Sequence, residues 1–312
     1  MIISASRRTD IPSFFSDWII NRFRERYACV RNPMNFHQVS RIRLSPDVVD
    51  CIVFWSKNPA PMLDRLDALK DYMFYFQFTL NAYGRDLEAA LPAPAVRIRT
   101  FQALSERIGR DRVLWRYDPI IINDRYTIDW HIRTFRFLAG QLCPYTEKVT
   151  VSFLDLYPTI ARSQKCARLR ELSFSQKTAL AESLAQIARS CGLKIAACAE
   201  DIDLTSCGVA PASCIDGSLI SKLLHCSIDA GKDKNQRREC GCIQSIDLGL
   251  YNTCQNGCAY CYANHNDAAR RQNFAAYDPH SPLLCSRITE ADRITERKAA
   301  SCRDMQLRLF EG

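Results

Sequence analysis

Three cysteines, Cys254, Cys258 and Cys261, lie in the run Cys-Gln-Asn-Gly-Cys-Ala-Tyr-Cys. A C-x3-C-x2-C spacing lets one tight loop aim three thiolates at three corners of a cube. Gly257 permits a positive φ inside that loop. Most electron-transfer iron–sulfur clusters are closed by four cysteines. Three protein ligands on a [4Fe–4S] cluster leave one iron open to bind and activate a small molecule. The same thiols joined by His265 or Cys242 would instead make a tetrahedral zinc site, of three thiolates and an imidazole or of four thiolates. Zinc modules commonly add a second, distant C-x2-C, so the spacing favours the open-iron cluster.

The chain has sixteen cysteines, and ten of them, Cys191 to Cys261, fall within 71 residues. Clustered thiols in a reducing compartment point to metal before disulfides. Cys240 and Cys242 flank Gly241, just ahead of the triplet. Cys198 closes a strand-like run, and Cys214 follows it. These four are candidate ligands of a second iron–sulfur cluster, with Cys207 and Cys226 in reserve. A zinc site or scattered buried thiols are the alternatives. Cys29, Cys51, Cys143 and Cys166 are isolated and read as core or surface residues, and Cys285 and Cys302 as free thiols. His37 and His131 have no recognisable Ser or Cys partner, so hydrolase chemistry with a nucleophile is unsupported.

Polar residues that could serve a site collect after apolar runs: Arg7, Arg8, Asp10, Lys57, Arg116, Asp118, Asp155 and Glu200. In barrel enzymes the carboxyl ends of the strands face the active site. Arg116 carries the most weight, because it interrupts the apolar run Val113-Leu114-Trp115-Arg116-Tyr117. A buried charge there needs a partner or a ligand.

The elements that must position these residues follow a βα rhythm. Strand-like runs are expected at Ile2–Ser6, Cys51–Trp55, Tyr72–Leu80, Val113–Tyr117, Val149–Leu154 and Lys194–Cys198. Between them, helical spacing appears in Phe15/Ile19/Phe23, Met62/Leu66/Leu69, Phe101/Leu104/Ile108, Ile132/Phe135/Leu138 and Leu180/Leu184/Ile187. Tyr27–Leu44 reads as a hairpin or an irregular excursion. Apolar strands joined by helices argue for an α/β protein with a parallel sheet. A partial or near-closed (β/α) barrel fits best, with a doubly wound open sheet as the alternative. No glycine-rich dinucleotide fingerprint follows the first strand. Three regions are expected: a barrel core over 1–200, a cysteine-rich iron–sulfur region over 201–265 that completes the barrel, and a helical tail over 266–312. The 201–265 region should carry a short helix near Gly217–Cys226. Helices are also expected over Tyr262–Phe274 and Ile288–Ala299.

Hydrophobic residues make up 47% and charged residues 24% of the chain, the mix of a globular protein. No apolar run is long enough to span a bilayer. The start lacks the pattern of a secretion signal, so a cytoplasmic protein without a membrane partner is expected. The net charge of +8 suits a generic surface or an anionic substrate. Nucleic acid is weakly supported, since Asp233 and Glu239 interrupt the densest basic group.

The C-x3-C-x2-C motif resembles the radical SAM superfamily, which it defines. An aromatic residue commonly precedes the third cysteine there, and Tyr260 matches it as a cofactor-binding residue. The resemblance implies that the unique iron binds the amino and carboxylate groups of S-adenosylmethionine. An electron from a donor such as flavodoxin or ferredoxin would then release a 5′-deoxyadenosyl radical, which takes a hydrogen atom from an unknown substrate. The eight polar residues would line the barrel mouth and hold S-adenosylmethionine and the substrate. Radical SAM proteins usually carry the motif after the first strand. Here it follows six β-runs, which implies a circular permutation with Ile243–Leu250 as the strand leading into the cluster loop. The whole chain also resembles a little-characterised bacterial family. That likeness covers about residues 1–265 and rests on Ser6–Asp10, Phe54–Pro59, Trp115–Pro119, Ser152–Tyr157 and Tyr251–Asn264. The competing function is a non-catalytic zinc or iron–sulfur protein that binds nucleic acid or another anion.

Overall fold

The computed structural model describes residues 1–155 and 169–304. Cys166 and the end of the Ser152–Tyr157 segment lie outside those residues. Strands β1 (Ile2–Ala5), β4 (Cys51–Ser56), β5 (Phe74–Thr79), β6 (Val113–Ile120), β7 (Lys148–Phe153) and β8 (Lys194–Cys198) occupy the six expected runs. Two short strands, β9 (Ala210–Ala212) and β10 (Ile246–Asp247), join them in one eight-stranded sheet ordered β10-β1-β4-β5-β6-β7-β8-β9. Every neighbouring pair in it is parallel. Both edge strands come from the 201–265 region. The two edges are not paired with each other, so no closed barrel forms among the described residues.

Side chains alternate across the sheet, as the pleat requires. Phe54, Phe76, Phe78, Trp115 and Val151 point to one face and are buried in the main core. That face is covered by helices α1 (Ile11–Phe14), α2 (Ser16–Arg24), α3 (Pro94–Ile108), α4 (Ile128–Leu142) and α5 (Phe174–Ser190). Helix ends are set by local chemistry. The Thr127 side chain accepts from Trp130 N at the start of α4, and Ser173 and Gln176 form a reciprocal capping box on α5. The Met62/Leu66/Leu69 stretch is helical as a 3-10 helix over Ala60–Leu69. Ile2, Cys51, Val53, Tyr75 and Leu114 point to the other face, into a second core with Cys214, Ile215, Cys240 and Cys242. Helix α6 (Gly217–Leu224) adds Ile220 and Leu223 to that core.

Outside the sheet, β2 (Tyr27–Asn32) and β3 (Asn35–Arg43) form an antiparallel hairpin. The tail departs from the helical expectation. Helix α7 spans only Asp267–Ala275, capped by Asn266. The stretch expected to be a helix at 288–299 contains β11 (Arg293–Glu296), which pairs in parallel with β3. An open edge of β3 supplies backbone donors and acceptors that outweigh weak helical spacing. The tail is also strapped to α2, where Trp18 Nε1 donates to Ser281 O at 2.8 Å and Arg22 Nη2 to His280 O at 3.0 Å. No described helix is long and apolar enough to cross a membrane.

Candidate functional site

The carboxyl ends of β1 and β4–β8 open onto a cavity of about 490 Å³. Parallel sheets bind ligands at this end because their loops and unpaired backbone groups converge there. Cys254, Cys258 and Cys261 line the cavity, and so do Cys198, Cys214, Cys240 and Cys242. Arg7, Arg8, Asp10, Lys57, Arg116, Asp118 and Asp155 line it too, with Tyr260. Glu200 does not. It sits beneath the rim, accepts from Phe153 N at 2.8 Å, and burial raises its carboxyl to about 7.

The triplet loop is built onto earlier loops. Ala259 N donates to Leu87 O at 2.8 Å and Ala90 N to Asn256 O at 3.1 Å, lacing the loop to residues 87–90. Gly257 has φ +67, and a Cβ there would come within 3.4 Å of Ala89 Cβ. Asp10 is the anchor. Its carboxylate accepts from Ser13 N at 3.1 Å, Ser56 Oγ at 2.7 Å, Lys57 N at 2.8 Å and Asn256 Nδ2 at 2.9 Å. Burial raises the Asp10 carboxyl even against these four donors.

A second anchor is a buried charge cluster. Lys57 Nζ donates to Glu88 Oε1 at 2.7 Å and to the Tyr260 hydroxyl at 2.9 Å, and Tyr260 donates to Glu88 at 2.6 Å. Arg97 pairs with the other Glu88 oxygen at 3.1 Å. Burial works against the Lys57 ammonium, but Glu88 and Cys258 together hold it above its usual value. Burial likewise works to raise Glu88, and Lys57 and Arg97 together hold it below. The cluster therefore fixes Tyr260 and places a cation beside Cys258. Burial pushes the Cys258 thiol up to about 12, with Lys57 opposing. Cys254 is raised by burial and by the nearby Asp10 carboxylate.

Asp247 on β10 joins the last sheet strand to the first. It accepts from Ser4 Oγ at 2.9 Å, Ser6 Oγ at 2.6 Å, Arg7 N at 2.9 Å and Gly249 N at 2.9 Å. The chains approach so closely that a Cβ on Gly249 would fall 1.9 Å from Ser6 Oγ.

The residues 2–263 match the family described as a domain of unknown function, DUF1848. The chain belongs to the DUF1848 family. The match takes in all eight sheet strands, the cavity and both sets of cysteines, and leaves out the α7–β11 tail. No curated protein matches the sequence.

In this DUF1848 protein the second set of cysteines packs together. Cys198 and Cys214 have their sulfurs 3.0 Å apart, and Ile215 N donates to Cys242 Sγ at 3.3 Å. Arg116 reaches the group from β6. Its Nη1 lies 2.7 Å from Cys214 Sγ and its Nε 2.9 Å from Asp118 Oδ2, which also accepts from a second guanidinium nitrogen. Hydrogen bonding from Cys214, helped by Arg116, lowers Cys198 to about 7. Bonds from Cys214 and Cys240 lower Cys242, and bonds with Cys198 and Cys242, with burial, raise Cys214. Arg7 and Arg116 both lie over the Trp55 ring, at 5.5 and 5.2 Å from its centroid.

Other expected candidates fall elsewhere. His265 lies by Asn252, and Cys242 sits with Cys214 and Cys240, so neither joins the triplet. Cys207 donates to Thr178 O and Cys226 follows α6; neither lines the cavity. Asp155 is paired with Arg237, and Arg8 stacks over Tyr251 at 5.1 Å. Among the described residues, no group of three or more His, Cys, Asp or Glu is already arranged around a single-ion position. Sequence reasoning missed Asp247, Glu88 and Asn256. Asn256 lies inside the motif, and Asp247 interrupts the apolar pair Ile246/Leu248, which was a readable signal. Nothing around Glu88 marks it.

Proposed function

We propose that this protein is a radical SAM-type enzyme, built on a near-closed, circularly permuted (β/α) barrel. What carries the reading is one observation: three thiols from a single short loop open into the cavity at the strands' carboxyl ends, among buried cations. The donor chemistry fits the group. Soft thiolates suit iron–sulfur clusters, and Cys254, Cys258 and Cys261 would hold three of four irons. The cavity also keeps unanswered polar atoms: Arg7 Nη2 and Trp55 Nε1 are buried without a partner among the described residues. Buried donors in that state are satisfied by a bound ligand.

Held by Cys254, Cys258 and Cys261, a reduced cluster would supply the chemistry of one-electron reductive cleavage of S-adenosylmethionine, for hydrogen abstraction from a substrate. The chain's own residues bind and orient. Arg7 offers its free Nη2 to a carboxylate, such as that of the methionyl group. Asp10 and the Lys57–Glu88–Tyr260 cluster hold the loop rigid against the sheet. Trp55 and Tyr260 wall the cavity and restrict water.

Electron paramagnetic resonance of the dithionite-reduced, anaerobically reconstituted protein tests this. S-adenosylmethionine should change the cluster signal, and 5′-deoxyadenosine should accumulate. An unchanged signal with no cleavage rejects the reading. A colourless protein carrying one zinc at the triplet rejects it as well.

A further inference from the structure

The other four sulfurs in the cavity have their own setting. Cys198 ends β8, and Cys214 lies just past β9, at one edge of the sheet. Cys240 and Cys242 lie just ahead of β10, at the opposite edge. The two loops meet: Ile243 N donates to Ile215 O at 3.1 Å, and Ser213 Oγ donates to Gly241 O at 2.9 Å. The sulfurs therefore stand where the sheet fails to close on itself. Cys214, Cys240 and Cys242 are buried, at 4%, 7% and 2% exposure. Four thiols gathered from three segments, three buried and Cys198 half-buried, with two guanidiniums turned toward them, exceed what packing alone requires.

We infer that Cys198, Cys214, Cys240 and Cys242 hold a second iron–sulfur cluster, closed by four thiolates, across the seam between β9 and β10. Arg116, bonded to Cys214 and paired with Asp118, and Arg7, paired with Asp233 at 3.7 Å, set two cations beside the sulfurs. A hydrogen bond to a ligating sulfur is one of the levers that set a cluster's potential. One feature favours iron–sulfur over zinc: the C-x-C pair is tighter than the usual C-x2–4-C of zinc ligands. Two thiolates on a tetrahedral zinc sit about 3.8 Å apart, for bonds of about 2.3 Å. Cys198 and Cys214 are closer than that, so loading any metal must spread them. The loop residues 213–215 and 240–243 can supply that movement.

This inference and the reading of the triplet can fail independently. The protein is reconstituted anaerobically with iron and sulfide, then compared with the variants C254S/C258S/C261S and C240S/C242S. Wild type should bind about eight irons, and each variant about four. The triplet variant should keep a reduced cluster signal that S-adenosylmethionine does not alter, since four thiolates leave no open iron. The C240S/C242S variant should lose that signal and keep the responsive one. About four irons in wild type, all lost with the triplet, overturns the second cluster and leaves the proposed function standing. Four irons in wild type, kept by the triplet variant and lost in C240S/C242S, does the reverse. One zinc per chain, or a Cys198–Cys214 disulfide found by mass spectrometry in the anaerobically isolated protein, overturns the second cluster too. Where a variant fails to fold, the wild-type signal decides: two clusters of which S-adenosylmethionine alters only one uphold the inference, and a single cluster that it alters overturns it.

Discussion

The two sets of sulfurs in the cavity are held in opposite ways. The triplet comes from one eight-residue loop, and its geometry is imposed from outside by Asp10, which holds Asn256 of the loop, and by Lys57 and Glu88, which hold Tyr260. The quartet comes from three segments spread over residues 198–242, and its sulfurs contact one another and Arg116 directly. A local motif needs a scaffold to orient it. A dispersed set becomes part of the scaffold. Removing the first should therefore cost chemistry, and removing the second should cost order in the 213–243 segment.

The largest effect expected is from C254S/C258S/C261S. Cleavage of S-adenosylmethionine should vanish, while the thermal midpoint of the apo protein changes little. Liquid chromatography of 5′-deoxyadenosine and a melting curve check the two halves. A strong loss of apo stability would mean that the triplet, too, is scaffold.

Next comes E88Q. It leaves Lys57 and Arg97 facing a neutral amide in a buried site. Breaking a buried charge pair costs about 3 kcal/mol or more. Urea unfolding should show that loss, together with a Cys258 thiol that alkylates faster as its loop loosens.

A smaller effect is expected from D10N, which keeps the shape and weakens four charge-assisted hydrogen bonds. Residues behind a metal ligand typically contribute 10- to 100-fold to metal affinity. Iron at the triplet should become roughly tenfold easier to remove with a chelator, while any iron on the quartet is unaffected. Equal loss from both sets would erase the distinction between them.

The smallest effect lies outside both sets and gives a baseline for pH work. His131 is fully buried between the Tyr117 hydroxyl at 2.6 Å and Ile121 O at 2.8 Å, and burial lowers it to about 4. Its folded value lies below its usual 6.5, so the unfolded chain binds more protons between those values. The His131 contribution to stability is therefore intact above about pH 6.5 and falls toward pH 4, by on the order of 1 kcal/mol per pH unit. Glu200, raised to about 7, contributes the opposite slope, so the His131 part is read as the difference in stability between wild-type and H131Q apo protein, which should turn against wild type below pH 6.5. A difference that does not change with pH assigns the acid sensitivity to other groups.

The sheet was largely legible in the sequence, because its strands are apolar runs with punctuation after them. Cys51–Trp55 and Val113–Tyr117 are buried on both faces and advertise themselves. Strand β9 was harder, at three residues, since so short a run carries no periodicity, whereas β10, at two, lies inside the Ile243–Leu250 run expected as a strand. β11 was misread as helix because its partner strand, not its own pattern, decides its form. The cavity's polar lining was readable from the strand ends, with Glu200 the exception. Its site turns on one backbone donor, Phe153 N, that no sequence pattern reveals. The anchor role of Glu88 was invisible for a related reason, and that of Asp247 was marked only by its place between Ile246 and Leu248. Each gains its role from partners far along the chain.

The laced contact between residues 87–90 and the loop at 254–261 has a consequence for biosynthesis. A chain emerging from the ribosome presents Asp10, Ser56, Lys57 and Glu88 long before the three sulfurs that rest on them, and domains tend to fold in that order. The residues that receive the loop are therefore all synthesised before its thiols, which can be buried against them as soon as they emerge.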